Sequence, residues 1–113
     1  MITFPRALVS AALVAGFAAA PAVAAAADIA RGQAVYTEQK CSLCHSIAGK
    51  GNARGSLDGV GKKLSADDIR QWIVNPKEMS AKAKAERKPP MKAYPSLPAA
   101  DLDALVAYLE SLK

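Results

Sequence analysis

The stretch Cys41-Ser42-Leu43-Cys44-His45 decides how the rest of this 113-residue chain is interpreted. It holds the only two cysteines and the only histidine of the chain. Two thiols one helical turn apart project to the same side of that turn, and the adjacent histidine projects beside them. The spacing is typical of covalent haem attachment. We therefore expect one haem c bonded to Cys41 and Cys44, with His45 as an axial iron ligand.

A Cys-x-x-Cys pair also occurs in three other kinds of site. A thioredoxin-like redox pair lies in a strand–helix–strand unit, and the sequence shows no strand-like alternation. A zinc site needs four ligands, whereas Cys41, Cys44 and His45 supply three. A disulfide closes too short a loop to stabilise much and gives His45 no role. A thiol oxidoreductase is the enzymatic alternative, and titratable free thiols in the mature protein would support it.

The N-terminal 27 residues have the pattern of a secretory signal peptide. A short segment ending in Arg6 precedes an uncharged apolar run, and small residues follow up to Ala27. The Ala-x-Ala sites place cleavage between residues 24 and 27, so residues 28–113 form the mature domain. An uncleaved membrane anchor is the alternative, but the alanine-rich composition favours cleavage. We expect a periplasmic protein that meets the membrane only through a redox partner or an uncleaved signal.

Hydrophobic periodicity predicts an all-α fold with three to five short helices and long loops. The clearest helices are expected over residues 28–40, 65–75 and 98–112, and residues 77–95 predict a short helix followed by an extended loop. Residues 46–61 hold five glycines and no sustained periodicity, which predicts a loop. The last helix has an apolar face at i, i+3, i+4, i+7 spacing, formed by Leu102, Leu105, Val106, Leu109 and Leu112.

Two further segments resemble a class I c-type cytochrome, a small soluble monohaem cytochrome c. Gly32-x-x-x-Tyr36 precedes the haem motif, and Leu105-Val106-Ala107-Tyr108-Leu109 is similar to the closing helix of that family. The resemblance covers essentially the whole mature chain. It implies the cytochrome c fold, in which short helices surround one haem and a glycine lets the terminal helices cross closely. It also implies an electron carrier rather than an enzyme.

A six-coordinate haem needs a second axial ligand opposite His45. The chain has no second histidine, and its mature methionines are Met79 and Met91. Met91 lies in a proline-stiffened polar loop that offers little core to fill, and class I cytochromes place their ligand methionine in such a loop before the last helix. We expect Met91 to bind iron and Met79 to fill the core. Thioether and imidazole together raise the reduction potential and leave no open coordination site.

The resemblance implies two further cofactor contacts. His45 should donate its other ring N–H to a backbone carbonyl, which in the family belongs to the proline of Gly-Pro-x-Leu. Arg54-Gly55-Ser56-Leu57 stands at that place here, so Gly55 is expected to supply the carbonyl. Trp72 resembles the aromatic residue that lines the haem pocket, and its alternative role is in the core of the second helix.

Positive charge is concentrated between residues 77 and 92. We call its six basic residues the basic patch: Lys77, Lys82, Lys84, Arg87, Lys88 and Lys92. Two acidic residues reduce the net charge of this window to +4, which equals the excess of the mature domain once Arg6 is removed from the total of +5. Beside a haem crevice, the patch would steer acidic redox proteins toward the cofactor. A solvated loop is the alternative, and no nucleic-acid binding is expected.

The expected function is therefore a diffusible periplasmic electron carrier. The alternative is a tightly bound cytochrome subunit of a larger periplasmic oxidoreductase, which should expose a large apolar patch. Relative to the family, residues 80–88 form an insertion that is expected to define partner choice.

Overall fold

The computed structural model describes residues 12, 16 and 20–113. The regular elements are α1 Ala20–Glu38, β1 Ser46–Ile47, β2 Lys50–Gly51, α2 Val60–Lys63, α3 Ala66–Val74, α4 Pro76–Ala83 and α5 Ala99–Glu110. Two 3-10 turns, Cys41–Leu43 and Ala53–Gly55, flank the small β1–β2 hairpin. The predicted all-α class and the cytochrome c fold are confirmed.

Two differences from the sequence expectations are the start of α1 and the presence of regular structure within the predicted loop at residues 46–61. α1 begins at Ala20 rather than at Asp28, because the alanine-rich segment before Asp28 has high helix propensity. Much of the predicted signal peptide lies outside the described residues. The predicted loop at residues 46–61 contains the antiparallel β1–β2 pair, whose two-residue strands are too short to show alternation. Within the described part of the chain, no helix is long and apolar enough to cross a bilayer.

The predicted ends of α3 are present. The hydroxyl of Ser65 accepts a hydrogen bond from the backbone N–H of Asp68 at 3.1 Å and so caps the helix. Asn75 ends α3, and Pro76 begins α4 at a position where its missing N–H removes no helical bond. The cap and the proline therefore set the two ends of α3, and the chain continues from Pro76 into the basic patch.

The core forms where α1 and α5 cross and where α3 packs against α5. Its buried side chains are Val35, Tyr36, Ile69, Ile73, Leu105, Val106 and Leu109. A Cβ atom at Gly32 would lie 2.5 Å from Cβ of Tyr108 and would also meet the carbonyl oxygen of Ala104. The two helices therefore touch through backbone at this point. The rings of Tyr36 and Tyr108 meet edge to face beside it, with centroids 6.1 Å apart.

An ion pair spans the same helix crossing at the surface. Arg31 of α1 donates from Nε and Nη2 to the two carboxylate oxygens of Asp101 in α5, at 2.9 Å and 3.0 Å. The hydrogen bond and the positive charge hold the pKa of Asp101 below its ordinary value. A carboxyl group with a lowered folded-state pKa stabilises the fold above its unfolded pKa, and that contribution disappears as the pH falls through the folded value.

We expect Asp101→Asn to lower the free energy of unfolding near pH 7 and to lose this effect in acid. The stability difference between the wild type and Asp101→Asn should shrink below about pH 4, where the unfolded carboxyl begins to bind its proton. Urea unfolding at a series of pH values measures it. Glu86→Gln is the control, because Glu86 is exposed and forms no ion pair among the described residues. A difference that stays constant down to pH 2 would contradict the assignment.

Candidate functional site

The cysteine motif is folded into one tight turn. Lys40 adopts a left-handed conformation with φ of 57°, which ends α1 and redirects the chain. The carbonyl oxygen of Cys41 then accepts hydrogen bonds from the N–H groups of Cys44 at 3.1 Å and His45 at 2.9 Å. Cys41 is half-buried and Cys44 is exposed. The turn brings both thiols and the imidazole to one region of the surface of the core.

The imidazole of His45 is held in one tautomer. Its Nδ1 lies 2.9 Å from the carbonyl oxygen of Gly55, and because a carbonyl only accepts, Nδ1 carries the proton. Nε2 therefore keeps its lone pair, which is the form that binds a metal. Burial lowers the pKa of His45, the Gly55 hydrogen bond opposes this, and the charge of Arg87 adds to the lowering. The contact between His45 and Gly55 implied by the family resemblance is present.

The motif opens into a cavity of about 490 Å³, which we call the main cavity. This volume lies within the ~300–1,000 Å³ range of sites for cofactors and other small molecules. Cys41, Cys44 and His45 lie on its wall. Aliphatic side chains from the loops and from α2, α3 and α5 form much of the rest: Leu57, Val60, Leu64, Ile69, Ile73, Leu105 and Leu109. An apolar cavity with two thiols and a neutral imidazole at its wall fits a covalently attached haem.

The two methionines are placed differently with respect to this cavity. Met91 is half-buried and lines it, as does Trp72 of α3. Met79 is half-buried in α4 and is not part of the lining. Tyr94 tethers the Met91 loop to the core, because its N–H donates to the carbonyl oxygen of Ile73 at 2.9 Å. The geometry thus brings Met91 and Trp72 to the same cavity as His45.

Tyr36 and Arg87 are among the lining residues that were not predicted as cofactor contacts. Tyr36 was expected only at the helix crossing, yet it also lines the main cavity, where its hydroxyl has no hydrogen-bond partner among the described residues. Burial raises the pKa of Tyr36 to about 12, so the phenol is neutral. Arg87 was expected only at the surface, in the basic patch, and it also lines the cavity. The sequence signal that could have indicated a cavity contact for Tyr36 was its hydroxyl group on an otherwise apolar helix face.

The Cys41 thiol does not have the electrostatics of a catalytic cysteine. Burial raises the pKa of Cys41 to about 11, so this thiol is protonated at neutral pH. A catalytic cysteine in a Cys-x-x-Cys pair instead needs a lowered pKa to form the thiolate. A half-buried thiol that is protonated and lies at a cavity wall fits attachment of a group inside that cavity better than thiol redox catalysis.

A small helical fold around an apolar cavity, with two cysteines and a histidine on one turn of its wall, is the arrangement expected of a haem-binding protein. Comparison with known proteins agrees, since the sequence model of the family described as Cytochrome c matches residues 29–113. The chain therefore belongs to the cytochrome c family. The class I resemblance seen in the sequence is confirmed.

Individual relatives show the same relationship. A cytochrome c-555 of Methylococcus capsulatus is 35% identical over 81 residues, which cover 69% of this chain and 66% of that protein. Subunit 2 of the cytochrome c oxidase of Alkalihalophilus pseudofirmus is 29% identical over 92 residues, or 74% of this chain. The chain spans 25% of the length of that subunit. No solved structure matches the chain.

Proposed function

We propose that the protein is a periplasmic electron carrier with one covalent haem c ligated by His45 and Met91. The observation that carries the proposal is the presence of Cys41, Cys44, His45 and Met91 on the wall of one apolar cavity. When bound, haem supplies the one-electron chemistry of iron. The chain supplies attachment, orientation and a dry environment.

Each residue contributes a separate part of this function. Cys41 and Cys44 anchor the cofactor through thioether bonds, and the tight turn fixes their spacing. The carbonyl of Gly55 accepts a hydrogen bond from Nδ1 of His45, so that Nε2 would be the nitrogen available to bind the iron. Met91 adds a soft thioether ligand, which favours the ferrous state. Trp72 covers the cavity from α3.

Export supports the periplasmic part of the proposal. The first 27 residues have a signal-peptide pattern, and haem c in the mature chain would then be assembled outside the cytoplasm. We propose that the mature domain begins after cleavage between residues 24 and 27.

The basic patch is the proposed docking surface for an acidic redox partner. All five of its lysines are exposed: Lys77, Lys82, Lys84, Lys88 and Lys92. Lys82 also pairs with Glu78 at 3.3 Å, which leaves the other four as the strongest steering charges. Such charges act mainly on the rate of association, so electron transfer with the partner should slow as salt is added.

A second candidate is a cytochrome subunit within a larger redox enzyme. The similarity to part of a cytochrome c oxidase subunit favours it. Among the described residues, Leu43 is a strongly exposed large aliphatic side chain, at 70%, and a single such residue is a small area for a permanent interface. Gel filtration of the native protein at low and high salt separates the two proposals. Elution in a salt-insensitive complex would contradict the free carrier.

Replacement of the methionines tests the ligand assignment. Ferric haem with a methionine ligand has a weak far-red absorption band, and Met91→Ala should abolish it and lower the reduction potential, because the soft ligand is lost. Met79→Ala is the matched control and should keep the band. Loss of the band only in Met79→Ala would overturn the assignment of Met91.

A further inference from the structure

Arg87 is placed differently from the other members of the basic patch. Its side chain is half-buried and lines the main cavity, whereas Lys84 and Lys88 in the same loop are exposed and are not part of the lining. Lys92 also borders the cavity, but it is exposed and its ammonium lies 5.6 Å from the centre of the Tyr94 ring. Among the described residues, Arg87 is therefore the half-buried, inward-facing cation of the basic patch.

The guanidinium reaches the loop that carries Gly55. Nη1 of Arg87 occupies the space that a Cβ atom at position 55 would fill, and that Cβ would lie 3.0 Å from Nδ1 of His45. A Cβ at position 55 would also meet the backbone carbonyl oxygen of Cys44, and the guanidinium would have to move away from it, so the glycine leaves room for the approach. Among the described residues, Arg87 forms no ion pair.

A cation at the wall of an apolar cavity is unfavourable unless an anion accompanies it. Haem carries two propionate carboxylates, and a guanidinium binds a carboxylate through two parallel hydrogen bonds. We propose that Arg87, held against Gly55 at the wall of the main cavity, binds a haem propionate and raises the reduction potential. This inference rests on the proposed haem function. It assigns Arg87 to cofactor binding rather than to partner docking.

The sign of the effect follows from the charge of the iron. Ferric haem carries one more positive charge than ferrous haem, so a nearby cation stabilises the ferrous state, and the low dielectric of the cavity strengthens this. Removing the cation should change the reduced-to-oxidised ratio at a fixed applied potential by about tenfold, which is about 59 mV for a one-electron couple. An exposed charge of the patch is screened by water and salt and should change that ratio by less than about twofold.

Arg87→Gln and Lys88→Gln are a matched pair, since each removes one positive charge from consecutive residues. The reduction potential of each holoprotein is measured by spectroscopic titration at pH 7. Arg87→Gln should have the lower potential by the amount given above, and Lys88→Gln should stay near the wild type. Equal shifts in the two variants would overturn the proposal.

The pH dependence of the potential identifies the propionate. A carboxylate paired with Arg87 stays ionised in mildly acidic solution, whereas an unpaired one takes up a proton more readily when the iron is reduced. The potential of Arg87→Gln should therefore rise as the pH falls from 7 to 5, while the wild type and Lys88→Gln change less. A pH profile of Arg87→Gln parallel to that of the wild type would overturn the proposal, because a structural role alone adds no titrating group.

Charge-conserving variants cover the case in which Arg87→Gln yields no holoprotein. Arg87→Lys keeps the charge but lacks the paired donors of the guanidinium, so it should show an intermediate loss of potential, whereas Lys88→Arg should match the wild type. Arg87→Lys with the potential and pH profile of the wild type would overturn the inference. A wild-type protein without covalent haem would instead contradict the proposed function, so the two failures are distinguishable.

Discussion

Replacing both Cys41 and Cys44 by serine is expected to abolish covalent haem binding and most of the folded structure. The main cavity of about 490 Å³ lies against the core residues of α1, α3 and α5. Without haem, the apolar side chains that line this cavity would be exposed to water, and the burial that haem provides would be lost from a domain whose whole stability is about 5–15 kcal/mol. Haem staining on a denaturing gel and far-ultraviolet circular dichroism measure the two losses.

Ser42→Ala is the control for the cysteine variant. Ser42 is exposed within the same motif, and its replacement leaves both thiols and His45 in place. This variant should keep covalent haem and wild-type helicity. A double serine variant that retained the helical signal of the holoprotein would show that the core does not depend on the cofactor.

Replacing Gly32 by alanine is expected to have the second largest effect, through the crossing of α1 and α5. The added Cβ would overlap the carbonyl oxygen of Ala104 and Cβ of Tyr108, and both are fixed in α5. Because neither is the flexible end of a side chain, the helices must separate, and overpacking of this kind lowers stability by about 1–3 kcal/mol. Urea unfolding of the holoprotein measures the change.

The control for Gly32→Ala is Gln33→Ala at the next residue of α1. Gln33 is exposed, so this variant should change the free energy of unfolding by less than about 0.5 kcal/mol. A Gly32→Ala protein as stable as the wild type would mean that the close helix contact does not contribute to the fold.

Features that depend on residues close together in the sequence could be predicted from it. The haem motif places its two thiols and its imidazole within one turn, so its chemistry follows from spacing alone. The cap at Ser65 and the proline at Pro76 likewise set the ends of α3 by local hydrogen bonding and sterics. The apolar stripe of α5 predicted the helix that closes the core, because its burial depends on helical periodicity.

Features that depend on contacts between distant segments could not be predicted. Charge and position alone group Arg87 with the exposed lysines, and its inward direction depends on the space left by Gly55 in another loop. The β1–β2 hairpin could not be predicted either, because it consists of two residue pairs and its strands are too short to show alternation. Asn52 connects that hairpin to the motif, because its backbone N–H donates to the carbonyl oxygen of His45 at 2.9 Å. No local sequence pattern predicts this contact.

The most direct test of the account is the haem content of the mature protein purified from cells that attach haem c. Intact mass and the reduced pyridine haemochrome spectrum together give the number of haems per chain and the kind of bond. We expect one haem per chain, bound through two thioethers at Cys41 and Cys44, with no thiol left to titrate. A mature protein with two free thiols and no covalent haem would contradict it.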